Sequence, residues 1–355
     1  MTPKERVRTT VQLQQPDRVA TNMMCVAEEW HKLKKHFNVE TEDEVKDLLE
    51  IDIRDMDMPD YLRYAEHMPY KNENGQLVLW HPFGFEFFLQ WNGHQNTIEV
   101  CRPFPYNAVE SIEDIETFDG WLNPDDFDYD SVKRFVDKHQ DYALQIGWPG
   151  PFQVFSMVYD FEIMFENLYE EPELMQAMLD KYCDRSLEMY ERMFEAGEGQ
   201  IDLLRTCDDY GSQSSLLFGP NLFEEFFAEN TKRFTDLAHK NNAFFLQHSC
   251  GAIRPIIPNL IECGVDIIEP LQKVAGLEPE GLKADFGDKV CFQGGIDTQH
   301  LLPEGTPEEV AEETRRFIKA LNPGGGYILT ASQYFQADTP VENVIAVYET
   351  RKEFD

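Results

Sequence analysis

The strongest constraint on this chain is a rhythm in its second half, where short apolar runs alternate with longer helical stretches. The runs lie at 142–148, 200–206, 243–247, 265–268, 290–293 and 327–330. Helical patterning fills 162–197 (broken near Glu171-Pro172), 221–240, 254–263 and 307–321, and 341–352 closes the chain. Six short apolar strands alternating with helices predict a parallel sheet. Most of the strands end in polar or glycine residues: Cys207-Asp208-Asp209-Tyr210-Gly211, His248-Ser249-Cys250-Gly251, Glu269-Pro270 and Gly294-Gly295-Ile296-Asp297. Polar groups gathered at the carboxyl ends of strands are the mark of a (β/α)₈ barrel, a TIM barrel of the α/β class, with its site on that face. A doubly wound sheet would usually carry a Gly-rich phosphate loop after its first strand, and no Gly-x-Gly-x-x-Gly or Walker pattern occurs. Gly324-Gly325-Gly326 precedes a strand and reads as a helix-to-strand connection.

The amino-terminal part is less regular. Thr2 is placed to cap a helix with Pro3 at its first position and Glu5 completing a capping box, and Pro16-Asp17 stops it. A first strand is expected within 19–26 and acidic helix around 41–50. A turn at 72–75 leads into extended chain at 77–80. The aromatic, Gly-punctuated stretch 81–102 reads as short strands or a capping subdomain, 113–130 as an acidic, loop-rich insertion, and 130–140 as helix. The expected organisation is one barrel domain over 1–355, with an elaborated region at 1–140 and regular β/α units at 141–355.

An apolar fraction of 42% with 26 Phe and 5 Trp supports a large core. Against 31 Lys and Arg stand 66 Asp and Glu, a formal charge of −35, which argues against nucleic acid and anionic membrane as partners. Seven irregularly spaced cysteines without a Cys-x-x-Cys pair suggest neither a disulfide framework nor a zinc ribbon. With no apolar run of about 18 residues, a reduced, cytoplasmic protein is expected.

His248 and Cys250 are two apart at a strand end, so the imidazole and thiol should converge on one side. They could hold zinc, or the imidazole could activate the thiol without metal. A third ligand could come from Cys207, Asp208 or Glu269. Adjacent strand residues face opposite ways, so one of Asp208 and Asp209 should act as base or substrate clamp and the other as a cap. Asp297 follows a Gly pair that permits close backbone approach to a ligand. Glu269 and Ser332-Gln333-Tyr334 are further strand-end polar groups, while Trp30, His31, Trp80, His81, Trp91 and His94 read as core or pocket wall.

Taken together, the chain resembles the uroporphyrinogen decarboxylase superfamily. The resemblance rests on Asp208-Asp209-Tyr210-Gly211-Ser212-Gln213, His248-Ser249-Cys250-Gly251, Gly264-Val265-Asp266, Phe286-Gly287-Asp288, Gly294-Gly295-Ile296-Asp297, Gly305-Thr306-Pro307 and Gly324-Gly325-Gly326-Tyr327. It implies a (β/α)₈ barrel, often dimeric, with a pocket at the carboxyl ends of the strands. True decarboxylases of that superfamily carry an Arg-rich motif and a Phe-Ser-Asp-Ile segment; here the first region reads Met23-Met24-Cys25-Val26-Ala27-Glu28-Glu29-Trp30 and the second is absent. The His-x-Cys instead resembles the methyltransferase branch, which moves methyl groups between corrinoid proteins and thiols or methoxylated compounds. In that branch His, Cys and a later Cys hold zinc. Carried over, this gives His248 and Cys250; Gln333 stands where the later Cys would fall, so the third ligand is lost or replaced, with Cys207 or Glu269 as candidates. The resemblance thus implies zinc, a corrinoid carried by a partner protein, and a small methylated substrate of methoxy, methylamine or thiol type. Asp208, Asp209 and Asp297 are expected to act in catalysis, and Tyr210, Gln213, Glu269, Gln333 and Tyr334 to bind substrate. The alternatives are decarboxylation of a tetrapyrrole and a non-catalytic ligand binder.

Overall fold

The computed structural model describes residues 1–82, 85–91 and 97–355. His94 and the side chain of Trp91, singled out above, lie outside that description. Eight parallel strands form a nearly closed barrel: β1 (Ala20–Thr21), β2 (Ile53–Met56), β3 (Ala143–Ile146), β4 (Leu203–Cys207), β5 (Phe244–His248), β6 (Ile267–Glu269), β7 (Cys291–Gln293) and β8 (Tyr327–Leu329). Their order around the sheet is β1-β8-β7-β6-β5-β4-β3-β2. The chain is a (β/α)₈ barrel of the α/β class.

The barrel floor follows from strand alternation. Ala20, Ile53, Ala143, Leu203, Leu246, Ile267, Cys291 and Ile328, one from each strand, form a single apolar cluster with Val7 and Val11. Those two valines belong to the opening helix Pro3–Val11, which plugs the amino-terminal end of the barrel. Its capping box is formed as predicted, with Thr2 Oγ1 accepting from the Glu5 N–H at 3.2 Å and the Glu5 carboxylate accepting from the Thr2 N–H at 2.8 Å. Residues of opposite parity, Leu144, Ile146, Leu204, Phe245, Ile268, Phe292 and Leu329, join the larger core beneath the helices. Every second residue above the floor therefore points into the barrel: Asp55 and Asp57, Gln145, Arg205 and Cys207, His248 and Cys250, Glu269, Gln293.

Strand β2 is absent from the sequence reading because it is four residues long and holds Arg54 and Asp55 rather than an apolar run. Arg54 turns outward, where its guanidinium stacks 3.7 Å from the Tyr142 ring centroid and pairs with Asp47. The helices Ala27–Phe37, Pro151–Val158 and Pro279–Phe286 also went unread. The first of these takes up chain that immediately follows the expected strand at 19–26, whose hydrogen-bonded part is only Ala20–Thr21. The aromatic stretch forms a four-stranded antiparallel sheet of Tyr70–Lys71, Leu77–His81, Phe85–Trp91 and Thr97–Val100. Within the acidic stretch, Ser111 caps a helix over Ile112–Thr117, and Phe127–Asp128 pairs with Asp60–Tyr61. Among the described residues no helix is long and apolar enough to cross a membrane.

Candidate metal centre at the barrel mouth

Directly above the apolar floor lies a buried layer of charge. Arg205 Nε donates to Glu269 Oε2 at 3.0 Å, and its guanidinium lies 5.4 Å from the Trp148 ring centroid. Burial by itself would raise the Glu269 carboxyl, but the Arg205 guanidinium and the His248 imidazole hold it down at about 2. His248 Nδ1 is 3.3 Å from Glu269 Oε2 and 3.1 Å from Arg205 Nη2. When Nδ1 carries its proton it donates to Glu269, and Nε2 is left as a free donor atom toward the mouth.

Around Nε2 stand Cys250 Sγ at 3.5 Å, Asp209 Oδ1 at 3.6 Å and Gln333 Nε2 at 3.4 Å. The ligand atoms of Cys207, Asp209 and His248 all lie within 4.8 Å of one another. Asp209 Oδ1 also accepts the Cys250 N–H at 2.9 Å. Gln333 Nε2 donates to Cys250 Sγ at 3.1 Å, and its Oε1 is engaged by the Tyr334 N–H at 3.0 Å. Burial pushes the Cys207 thiol up, against the pull of His248. A nitrogen, two sulfurs and a carboxylate gathered this closely match the donor chemistry zinc prefers, and the residues present fit the metal.

The loops after β4 and β5 hold this geometry by backbone contact. Gly251 has φ +87°, and a Cβ there would sit 2.3 Å from the Gly211 carbonyl carbon. The Ala252 N–H donates to the Ser212 carbonyl at 2.8 Å, and the Tyr210 N–H to Ser249 Oγ at 3.0 Å.

The structure separates the remaining candidates. Asp209 faces the cluster, whereas Asp208 faces outward, 2% exposed, and accepts the Gln153 N–H at 3.1 Å at the start of the helix Pro151–Val158. Burial raises its carboxyl to about 7. Asp208 thus takes the capping half of the expected split, away from the Nε2 side of His248. Tyr210 is fully buried, its ring packed on Phe152, Phe218, Phe223 and Phe227. Asp297 caps a turn, accepting the Gln299 N–H at 2.8 Å and the Leu301 N–H at 3.3 Å. It borders a charged cleft of about 1040 Å³ with Lys273, Glu313 and Arg316, a cleft to which neither His248 nor Cys250 contributes. Gln213 stands exposed on the loop after β4. Glu269 sits behind His248, on the Nδ1 side, and Tyr334 lies edge-on to Trp148 at 6.5 Å. Sequence reasoning missed Arg205, Trp148 and Asp57. A lone arginine inside the apolar run of β4 was the available signal, since a buried charge requires a partner.

Residues 98–354 match the uroporphyrinogen decarboxylase (URO-D) family. The methylcobamide:CoM methyltransferase MtaA of Methanosarcina barkeri is 24% identical over 214 residues, 60% of this chain and 59% of that protein. The MtbA enzyme of the same description from Methanosarcina acetivorans is 23% identical over 256 residues, 70% of each chain. A uroporphyrinogen decarboxylase of Coxiella burnetii is 22% identical over 53% of this chain and 49% of its own. The match thus spans less than two thirds of the MtaA relative. Among solved structures, a methyltransferase from Methanosarcina mazei superposes with a TM-score of 0.70 at 18% identity, covering 100% of this chain and 99% of its own, which shows a shared fold. With the matched region running from before β3 to the final helix, the chain belongs to the uroporphyrinogen decarboxylase family.

Proposed function

We propose that this chain is a single-domain methyltransferase that moves a methyl group between a small methylated compound and a corrinoid carried by a partner protein. The observation that carries the reading is the convergence of Cys207, Asp209 and His248 within 4.8 Å, with Cys250 Sγ 3.5 Å from the His248 nitrogen. His248 and Cys250 would bind zinc, with Cys207 supplying the ligand that Gln333 does not. Bound there, the metal would act as a Lewis acid, lowering the pKa of a thiol or polarising the atom that bears the methyl group.

The protein's own part is to orient and to exclude. Glu269 fixes the tautomer of His248, and Arg205 keeps Glu269 ionised beneath it. Asp209 ties the Cys250 backbone in place and leaves its carboxylate at the mouth, 40% exposed, where it can hold substrate or a proton. Decarboxylation of a polycarboxylate would call for free cations at the mouth, and the inner-face Arg205 is committed to Glu269.

Metal analysis tests this reading. Freshly prepared, unchelated protein should carry about one zinc per chain, as imidazole and thiolate donors hold zinc tightly while one position stays open to substrate. Cys250→Ser and Cys207→Ser should each weaken binding by about tenfold or more, and Gln333→Cys should strengthen it. In the cobalt-substituted protein, the thiolate charge-transfer band should lose intensity in either serine variant. Wild type that takes up no metal would sink the proposal.

A further inference from the structure

Two inner-face groups beside the metal cluster lack partners. Asp57 lies one residue beyond β2, level with the turn at Gly147, whose N–H donates to the Met56 carbonyl at 3.3 Å. Among the described residues no hydrogen bond or ion pair reaches its carboxylate, while its neighbours are engaged. Asp55 takes Lys46 Nζ at 2.8 Å, Glu269 takes Arg205 at 3.0 Å, and Asp209 takes the Cys250 N–H at 2.9 Å. Burial, then the charge of Asp55, pushes the Asp57 carboxyl up to about 6, although the side chain remains open to solvent. Its carboxylate is thus crowded by protein yet reached by water. The second group is Gln145, 2% exposed and paired in register with Asp55, whose Oε1 has no donor. An acceptor without a donor, beside a carboxylate that Arg205 and Lys46 reach only through space, favours a ligand that brings positive charge.

The rest of this side of the mouth is aromatic. Trp148 follows Gly147, and the Tyr334 ring stands edge-on to it at 6.5 Å. Asp57 and Asp55 lie close enough to Tyr334 that their charges add to burial in raising its phenol. Arg205, the inner-face cation of β4, is held between Glu269 and the Trp148 ring. An anion would have to break that buried pair.

We infer that the barrel mouth takes a small N-methylated ammonium ion, its charge on Asp57 and its methyl groups against the rings of Trp148 and Tyr334. Carboxylate plus aromatic wall is the chemistry that recognises such cations, and the −35 charge of the chain draws them in. That one of these methyl groups is the one transferred rests on the proposed function; binding of the ion does not.

Calorimetric titration of the full chain tests it with choline, trimethylammonium and 3,3-dimethylbutan-1-ol, the last being choline with carbon in place of the charged nitrogen. At least one ammonium ion should bind about tenfold more tightly than the alcohol. Asp57→Asn should abolish that preference and Asp57→Glu should restore part of it. The inference is overturned if the alcohol binds as well as the ammonium ions, if no ammonium ion binds, if a sulfonate-bearing thiol binds more tightly than they do, or if Asp57→Asn keeps the preference. The comparison of ligands on wild type stands even where a variant fails to fold. Because calorimetry needs neither corrinoid nor turnover, a protein without methyl transfer could still pass this test.

Discussion

Asp55, Asp57 and Asp209 are three carboxylates at one mouth, and their partners separate them: a lysine, no protein group among the described residues, and a backbone N–H. Asp57 has a consequence for stability. Its folded pKa, about 6, lies above the ordinary 3.8, so the folded chain keeps a proton that the unfolded chain has released between those values. Stability contributed by that proton is present below pH 4 and is lost as pH rises through 6. Water reaches the side chain, so the effect should be about 1 kcal/mol rather than the full shift. Asp57→Asn should therefore be more stable than wild type in urea at pH 8 and indistinguishable at pH 3.5, where both carry a neutral group. Equal stability at both values would remove the claim that the carboxylate sits in a desolvating pocket.

Between elements, the critical contact is that of the loops after β4 and β5. Gly251 and Gly211 touch backbone to backbone, which only residues without a Cβ permit. Gly251→Ala combines left-handed backbone strain with a collision against main chain that cannot move aside, and it adjoins Cys250. It should lower stability by about 2 kcal/mol or more and weaken metal binding. Gly75→Ala is the control, because Gly75 has φ +76° with nothing within 4 Å of its missing Cβ. Only the strain, about 1 kcal/mol, should appear there, with metal binding untouched. Thermal melts and metal titration of the two variants should differ; matching behaviour would mean that the loop contact does not hold the site.

For the molecule as a whole, the barrel's weak point is its seam. Strands β1 and β2 are the two ends of the sheet and are joined through Asp52, whose N–H reaches the Thr21 carbonyl at 3.1 Å and whose carboxylate accepts the Thr21 N–H at 2.9 Å. Arg6 at 2.6 Å and Arg18 at 2.9 Å close on the same carboxylate, so the opening helix, β1 and β2 meet at one fully buried group. Asp52→Ala leaves two guanidinium groups facing one another without their anion. It should cost about 3 kcal/mol in urea unfolding, and a loss below about 1 kcal/mol would mean that the seam is held by packing alone.

The barrel and the His248-Cys250 pair were legible in the sequence because both follow from local rules. Buried parallel strands must be short and apolar, and residues two apart in a strand must share a side. Alternation also required Asp208 and Asp209 to part company. Which of them would face inward depended on the register of β4, set by Leu203 pairing with Phe244 and Cys207 with His248. Strand β2, and Asp57 with it, left no trace, because four residues holding Arg54 and Asp55 look like loop until neighbours bury them. The pairing of Arg205 with Glu269 spans 64 residues, and that of Cys250 with Gln333 spans 83. Which residues stand at strand ends, and what donor atoms they bring, follow from residue order alone. Closure of the barrel decided which of those ends meet, because contacts between strands distant in the chain leave no periodicity within it.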